Sequence, residues 1–247
     1  MMHINIQHHN MNGSTFFKQY GAQRTGTNYL KRLMELNFEQ VTVFGSVLGW
    51  KHGMYETGNG YNHTCTSHEQ WVDKQTRDGR VYSVDNHALR HTPEQLRQAC
   101  DNLNYLISVK NPHAYVVSYK RFRAKKQPWR ESQVKQWVQL YLRLYTQWRQ
   151  LYDRQPDRCF MIDYDQLILR RDTVLQSIQT KFELVQKHDN FRDETRVVNA
   201  STDHGLIIAR DNFNIKYYQD REYMNELPNN INSLITDMTN SHGCCRC

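Results

Sequence analysis

The sequence predicts an α/β fold: a single domain with a central parallel sheet flanked by helices. Four short apolar stretches have the length and composition of strands, and stretches with helical periodicity lie between them. Strands that alternate with helices form parallel sheets, because each crossover helix returns the chain to the edge where the previous strand began. The chain has 247 residues, enough for one such domain with a substantial core.

The predicted strands combine aromatic and branched apolar residues and are bounded by polar residues or glycine. Two of them, NYLISVK and RCFMIDY, are apolar enough to be buried in a parallel sheet. The four strands are TFFKQYG (15–21), QVTVFGS (40–46), NYLISVK (104–110) and RCFMIDY (158–164).

The predicted helices are identified by apolar residues three and four positions apart and by their capping residues. Thr92, Pro93 and Gln95 have the spacing of a capping box with proline at the first helical position. Residues 51–92 have no sustained period, which predicts a long loop or insertion. The other helices are expected at 26–37, about 131–153 and 172–184.

The domain organisation follows from composition along the chain. We expect a disordered N-terminus at residues 1–13, the α/β domain at 14–235 and a flexible cysteine-rich tail at 236–247. The tail ends in CCRC, which contains no CxxC pair, and the scattered remaining cysteines favour reduced thiols.

Charge and hydropathy restrict the class of partner and the location. The formal net charge of +7 suits a polyanion, a small anionic cofactor or simply a basic surface. No stretch approaches the roughly 20 apolar residues of a membrane helix, and the polar start lacks the apolar segment of a signal peptide. We therefore expect a cytoplasmic protein without stable membrane insertion.

The stretch YGAQRTGTNY (20–29) lies between the first predicted strand and the first predicted helix. Gly21 and Gly26 have the GxxxxG spacing of a P-loop, but Thr27 and Asn28 stand where its lysine and its serine or threonine would follow. Loop amides and a helix N-terminus favour an anion at such a turn, and Arg24 supplies a fixed charge. The sequence therefore predicts a P-loop-containing nucleotide-binding type of fold that holds phosphate without a Walker lysine.

A second phosphate-facing motif begins at the end of the third predicted strand, in VKNPHAYVVSYKRF. Lys110 ends the strand, and Ser118 lies eight residues further on in a short helix. Because the ends of parallel strands meet at one edge, we expect both side chains near the first motif. Lys120 or Arg121 is a further candidate for the same phosphate.

The two motifs together resemble those of sulfotransferases that use 3′-phosphoadenosine 5′-phosphosulfate (PAPS). In that family a loop like K-S-G-T-T-W binds the 5′ phosphosulfate, and R-N-P-x-D-x-x-x-S holds the 3′ phosphate. The resemblance implies a sulfotransferase that moves a sulfuryl group to a hydroxyl or amine acceptor by in-line transfer without a metal. It implies cofactor contacts from Gly21, Gln23, Arg24, Thr25, Gly26, Thr27, Asn28, Tyr29, Lys110 and Ser118.

The chain departs from the family pattern at several of these positions. Arg24 stands for the catalytic lysine, Lys110 stands for the arginine, and Tyr29 stands where an adenine-stacking tryptophan is common. No R-K-G loop is evident, so the third basic contact is left open between Lys187, Arg196 and Arg210.

The catalytic candidates are Arg24, Lys51 and His52. Arg24 would counter charge on the bridging oxygen and the transferred group. His52, in LGWKHG after the second strand, is the candidate base for the acceptor hydroxyl, with an ordinary histidine ionisation expected in the acidic limb of the rate profile. Lys51 would neutralise sulfonate charge, and Glu56 is the reserve base.

For the sulfuryl acceptor, the sequence predicts only a class of molecule: a hydroxylated small molecule, a saccharide or a protein tyrosine. The histidines and cysteine between residues 63 and 91 fit no standard zinc spacing, so we expect no metal. Together with Tyr55, Tyr61 and Trp71, they are expected to shape the acceptor pocket or its lid.

Two other functions compete with this interpretation. A P-loop kinase would need a lysine after Gly26 and a carboxylate for Mg²⁺, for which Asp163 or Asp165 is a weak candidate. A non-enzymatic nucleic-acid-binding protein would use the net charge and the basic run YKRFRAKK (119–126), but no known RNA- or DNA-binding motif accompanies that run. We therefore expect no nucleic-acid partner.

Overall fold

The strands of the protein were located in a computed structural model that describes residues 14–53, 68–83, 87–123, 127–193, 198–200, 205–207 and 215–242. Four of them form a central sheet, and the others form two small antiparallel pairs. The strands are β1 (Thr15–Gly21), β2 (Val41–Phe44), β3 (Thr76–Arg77), β4 (Arg80–Val81), β5 (Asn104–Val109), β6 (Cys159–Asp163), β7 (Val198–Ala200) and β8 (Gly205–Ile207).

The central sheet has the order β2-β1-β5-β6, and every neighbouring pair in it is parallel. The chain passes from β1 to β2 on one side and then crosses to β5 on the other side of β1. Segments that follow β1 and β5 therefore diverge, which opens a crevice at the carboxyl ends of these two strands. In the β1–β5 register Gly21 lies opposite Ser108, two residues before Lys110.

Helices cover both faces of the sheet, as the sequence predicts. Two further single turns of 3₁₀ helix lie at Pro156–Arg158 and Glu222–Glu226. The helices are α1 (Thr27–Asn37), α2 (His68–Gln75), α3 (Pro93–Asp101), α4 (Pro112–Arg123), α5 (Glu131–Arg154), α6 (Tyr164–Leu169), α7 (Arg171–Phe182), α8 (Ile215–Gln219) and α9 (Asn229–Ser241).

Two hydrophobic cores lie on the two faces of the sheet, because alternate strand residues point to opposite sides. Leu106 packs on one face with the apolar residues of α1, α6 and α7. Its neighbours Tyr105 and Ile107 pack on the other face with residues of α3, α4, α5 and α9. The protein is thus a single α/β domain with a central parallel sheet between helical layers, which confirms the predicted α/β class, whereas the P-loop-containing nucleotide-binding type stays a prediction.

Local features of the sequence identify most elements correctly but fail between residues 51 and 92. The predicted capping box of α3 is present: the Thr92 hydroxyl accepts from Gln95 N, and the Gln95 side chain accepts from Thr92 N. The prediction of one long loop is wrong for residues 68–81, which form α2 and the β3–β4 pair. Only Trp71 and Val72 of α2 are buried, so the helix has too few apolar residues to show a period.

The C-terminal boundary also differs from the prediction. Helix α9 continues to Ser241, past residue 235, and Thr239 in its last turns is buried. Among the residues that the structure describes, no helix has the length and apolar character needed to cross a membrane.

Candidate anion-binding site

The loop between β1 and α1 is compact because two glycines allow close packing. A Cβ at Gly21 would lie 2.6 Å from Thr25 Oγ1 and 2.9 Å from the carbonyl oxygen of Ser108. A Cβ at Gly26 would lie 2.3 Å from Cε2 of Tyr164, and Gly26 has a φ of 74° in the left-handed region. No other residue type fits either position without displacing its neighbours.

Hydrogen bonds from the two central strands hold this loop from inside. Thr25 Oγ1 donates to the carbonyl of Ala22 at 2.8 Å, and Gln19 Nε2 donates to the carbonyl of Thr27 at 2.7 Å. The Ser108 hydroxyl donates to the carbonyl of Thr25. Thr25 is completely buried, so its hydroxyl shapes the loop rather than facing the crevice.

The N-terminus of α1 has no capping side chain. Its N-cap is Gly26, which makes no side-chain capping bond, and the first turn contains no acidic residue. By contrast, Asp163 caps α6 by accepting from Gln166 N at 3.0 Å. Among the described residues, neither a capping side chain nor a first-turn carboxylate compensates the positive end of the α1 dipole, an arrangement that favours a bound anion.

Lys51 brings a cation to this helix N-terminus from the loop that follows β2. Its ammonium donates to the side-chain oxygen of Asn28 in the first turn of α1, and the residue is 8% exposed. A Walker lysine would reach a similar place from within the loop itself. The lysine at the start of α1 thus comes from a distant segment and not from the GxxxxG motif.

His52 is attached to the end of β1. Its Nδ1 lies 2.7 Å from the carbonyl oxygen of Gly21, and Gly21 N donates to the carbonyl of Lys51 at 3.0 Å. Because a carbonyl only accepts, Nδ1 carries the proton, and Nε2 is the ring nitrogen able to accept one. The structure therefore brings Lys51 and His52 to the same loop, as the sequence predicts.

The ionisation of His52 differs from the ordinary histidine behaviour expected from the sequence. Burial, followed by the charge of Lys51, lowers the pKa of His52 to about 3, although the bond to Gly21 acts in the opposite direction. The ring is therefore neutral at physiological pH. An anion bound at α1 would raise this pKa by favouring the charged form.

Lys110 lies on the other side of the loop and is 3% exposed. Its ammonium donates to the Ser118 hydroxyl at 2.8 Å and lies 3.5 Å from the carbonyl oxygen of Arg24. The Tyr218 hydroxyl is 3.4 Å away, and the ring of Tyr164 has its centroid 4.2 Å from the ammonium. The two halves of the second predicted motif are therefore in direct contact, beside the first motif.

Burial makes the charged form of Lys110 costly. It lowers the pKa of Lys110 to about 7, and the charges of Arg24 and Arg121 act in the same direction, whereas Asp165 raises the pKa. Asp165 has a raised pKa itself, chiefly because it is buried. One side-chain oxygen of Asp165 is buried without a hydrogen-bond partner. A bound anion would favour the charged form and so stabilise protonated Lys110.

Arg24 occupies the outer edge of the site. It adopts a φ of 70°, is exposed, and places its guanidinium carbon 5.4 Å from the ring centroid of Phe122. Its neighbour Gln23 accepts a long bond of 3.4 Å from the Arg123 guanidinium. Three cations thus lie around one short loop. Arg24 belongs to the loop, and Lys51 and Lys110 reach it from two other segments.

Two predicted contacts lie apart from this group. Tyr29 is 3% exposed in the core, where its hydroxyl donates to Asp193 at 2.8 Å. Lys187 lies at the far end of α1, where its backbone amide donates to the carbonyl of Asn37 at 2.8 Å. We therefore leave both residues out of the proposed ligand contacts.

The structure describes only some of the residues predicted for the acceptor pocket and for the other candidate sites. Of the histidines expected to shape the acceptor pocket, His68 contacts the carbonyl of Leu48 at 2.9 Å, and His91 packs edge-on against Phe44. Within the described ranges, no group of three or more His, Cys, Asp or Glu residues could hold a metal ion. The residues outside those ranges are Tyr55, Glu56, Tyr61, His63, Cys65, Arg196, Arg210 and the CCRC cysteines.

Sequence reasoning missed three residues that shape the site. Tyr164 and Tyr218 surround Lys110, and Lys18 lies under the loop that carries Lys51. Only Lys18 left a recognisable pattern, a charged residue in the middle of an otherwise apolar strand.

Comparisons with known proteins add no relative to this description. A scan against models of protein families finds no match to the chain, and a search of curated proteins also finds none.

Proposed function

We propose that the protein is a PAPS-dependent sulfotransferase with a fold of the P-loop-containing nucleotide-binding type. In this proposal the phosphosulfate lies at the N-terminus of α1, and the 3′ phosphate lies at Lys110 and Ser118. The proposal is supported by the position of both motifs at the carboxyl ends of β1 and β5, where the direction of strand addition reverses. Ligands of open α/β sheets bind at such points.

The observation that carries the proposal is the presence of three cations around one short loop that ends at the uncapped N-terminus of α1. Lys51 reaches Asn28, Lys110 reaches the carbonyl of Arg24, and Arg24 itself belongs to the loop. Like charges repel and buried charges are costly, so an anionic partner would stabilise such a cluster. Two lysines at the two ends of the loop suit a ligand with two separate anionic groups.

The residues of the loop also fit a ligand whose anionic group lies close to the backbone. The loop at 21–26 turns tightly through Gly21 and Gly26, and its carbonyls are bonded inward to Ser108 and Gln19. Because glycine has no side chain, nothing at these two positions keeps a ligand away from the backbone. The amides near the helix N-terminus can therefore contribute to binding directly.

Each residue of the site has a separate task in the proposed reaction. PAPS, when bound, supplies an activated sulfuryl group for transfer to an acceptor hydroxyl. Arg24 and Lys51 would counter the charge that develops during transfer, and Nε2 of His52 would accept the acceptor proton. Lys110 and Ser118 would orient the cofactor through its non-reacting phosphate.

A magnesium-nucleotide kinase is the second candidate, favoured by one observation. The Lys51 ammonium contacts Asn28 in the first turn of α1, where a Walker lysine would contribute charge. The two functions differ in the ligand: a kinase requires Mg²⁺ and a triphosphate, whereas the proposed sulfotransferase recognises a 3′ phosphate and needs no metal.

A thermal-shift panel in EDTA or Mg²⁺ distinguishes these functions. We expect adenosine 3′,5′-bisphosphate to raise the melting temperature in EDTA, and adenosine 5′-phosphate to raise it much less. Stabilisation only by ATP with Mg²⁺ would favour the kinase and contradict the proposal. A shift with an oligonucleotide but with neither nucleotide would indicate a nucleic-acid-binding protein.

A further inference from the structure

Lys18 is a charged residue in the interior of the fold. It lies in the middle of β1 and is completely buried. Its ammonium donates to three backbone carbonyls, those of Gly45 at 2.5 Å, Val47 at 2.9 Å and Gly49 at 2.6 Å. An ammonium has three donors, so these three bonds use its full capacity.

The three carbonyls belong to the turn at 45–49 that follows β2. Two residues of this turn, Leu48 and Gly49, have φ values of 61° and 101° in the left-handed region. Left-handed residues direct successive carbonyls away from the regular strand pattern, and unpaired carbonyls are costly when buried. The Lys18 ammonium donates a hydrogen bond to each of the three carbonyls and thereby stabilises a strained turn.

The same turn leads directly into the segment that forms the site. Within three residues of Gly49 the chain reaches Lys51 and His52, which contact Asn28 and Gly21. The position of both side chains therefore depends on the path of 45–49. The three hydrogen bonds of the Lys18 ammonium go to this turn, so they link Lys18 to the site through the path of 45–49.

We infer that Lys18 is a positioning residue whose bonds to 45–49 hold Lys51 and His52 against the anion-binding loop. Loss of the Lys18 ammonium would release this segment while Lys110, which follows β5, keeps its place. A purely structural role would instead loosen the whole domain, including Lys110. The two roles thus differ in which lysine becomes accessible.

Lysine acylation followed by mass spectrometry tests this inference without any ligand. We expect Lys18→Met to raise the labelling rate of Lys51 by about tenfold, because local opening exposes it, while the rate at Lys110 stays unchanged. Lys31→Met is the matched control, since it removes an ammonium bond to the carbonyl of Val43 in β2, outside the turn. An unchanged rate at Lys51, or an equal rise at Lys51 and Lys110, would overturn the inference.

If Lys18→Met does not fold, Lys18→Gln keeps a shorter amide donor in place of the ammonium. The same labelling experiment then applies, with the same pattern expected at Lys51 and Lys110. Enhanced labelling at both lysines would overturn the inference for this variant too.

A double-mutant cycle on bisphosphate affinity gives a second test, which rests on the proposed function. We expect the affinity lost in Lys18→Met to disappear in a Lys51→Met background and to persist in a Lys110→Met background. If Lys18→Met causes the same loss of affinity in the Lys51→Met background as in the Lys110→Met background, the inference is overturned. Failure of the wild-type protein to bind bisphosphate would contradict the proposed function alone and leave the labelling test valid.

Discussion

The ammonium of Lys110 lies 2.8 Å from the hydroxyl of Ser118, although one residue directly follows strand β5 and the other lies in helix α4. The same ammonium approaches the Arg24 carbonyl in the loop after β1. These contacts join the two motifs at the carboxyl ends of β1 and β5.

Lys110→Met and Ser118→Ala are expected to weaken the binding of adenosine 3′,5′-bisphosphate. A charge-assisted contact contributes about 1.5 to 3 kcal/mol, so Lys110→Met should raise the Kd by roughly ten- to a hundredfold. Binding of adenosine 5′-phosphate, which lacks the 3′ group, should change little. Lys181→Met, on α7, is the control for net charge. Equal losses for both nucleotides would mean that Lys110 has only a structural role.

Bisphosphate binding should also take up protons at mildly alkaline pH. Burial lowers the pKa of Lys110 to about 7, so at pH 8 the free protein holds this amine mostly neutral. A bound anion favours the ammonium and raises this pKa, so protonation accompanies binding. Calorimetry at pH 8 in buffers of different ionisation enthalpy measures the uptake, and Lys110→Met should lose it. Binding without uptake in the wild-type protein would contradict this assignment.

Gly26→Ala should destabilise the protein more than Gly79→Ala. Both glycines have positive φ values, 74° and 71°, so both substitutions introduce similar backbone strain of about 1 kcal/mol. At Gly26 the new Cβ would clash with Tyr164, whereas among the described residues nothing lies within 4 Å of the Cβ position at Gly79. Overpacking adds about 1 to 3 kcal/mol. Chemical denaturation of the two variants measures the difference, and equal losses would show that Tyr164 moves away freely.

The sequence predicts those parts of the fold that depend on neighbouring residues. The α3 capping box is local, and the strands of the central sheet are short apolar runs between turns, so both are visible in the sequence. The position of Lys110 near Ser118 follows from the strand–helix motif. These features need no knowledge of tertiary packing.

The remaining features depend on contacts between distant segments. The pairing of Lys51 with Asn28 and the packing of Tyr164 against Gly26 arise only when the strands assemble. Tyr29 follows the GxxxxG loop in sequence, yet helical rotation directs it into the core. The lowered pKa of His52 requires its burial and the nearby charge of Lys51, neither of which a sequence pattern specifies.

His52→Ala should lower turnover by about 10² to 10⁴ while bisphosphate affinity stays near that of the wild type. The pKa of free His52 is lowered to about 3, so the ring stays neutral and able to accept a proton as pH falls through 6.5. The acidic limb of the rate profile should therefore lie between about pH 3 and 6.5, because bound anionic cofactor raises the pKa. A folded variant with normal turnover would exclude His52 as the base.

The most direct test of the central claim is a calorimetric titration of the wild-type protein with adenosine 3′,5′-bisphosphate in excess EDTA. The account predicts one site per chain, no requirement for a divalent metal, and affinity that falls as salt rises, because cations at α1 provide much of the attraction. Absence of binding in EDTA, together with metal-dependent binding of ATP, would contradict it.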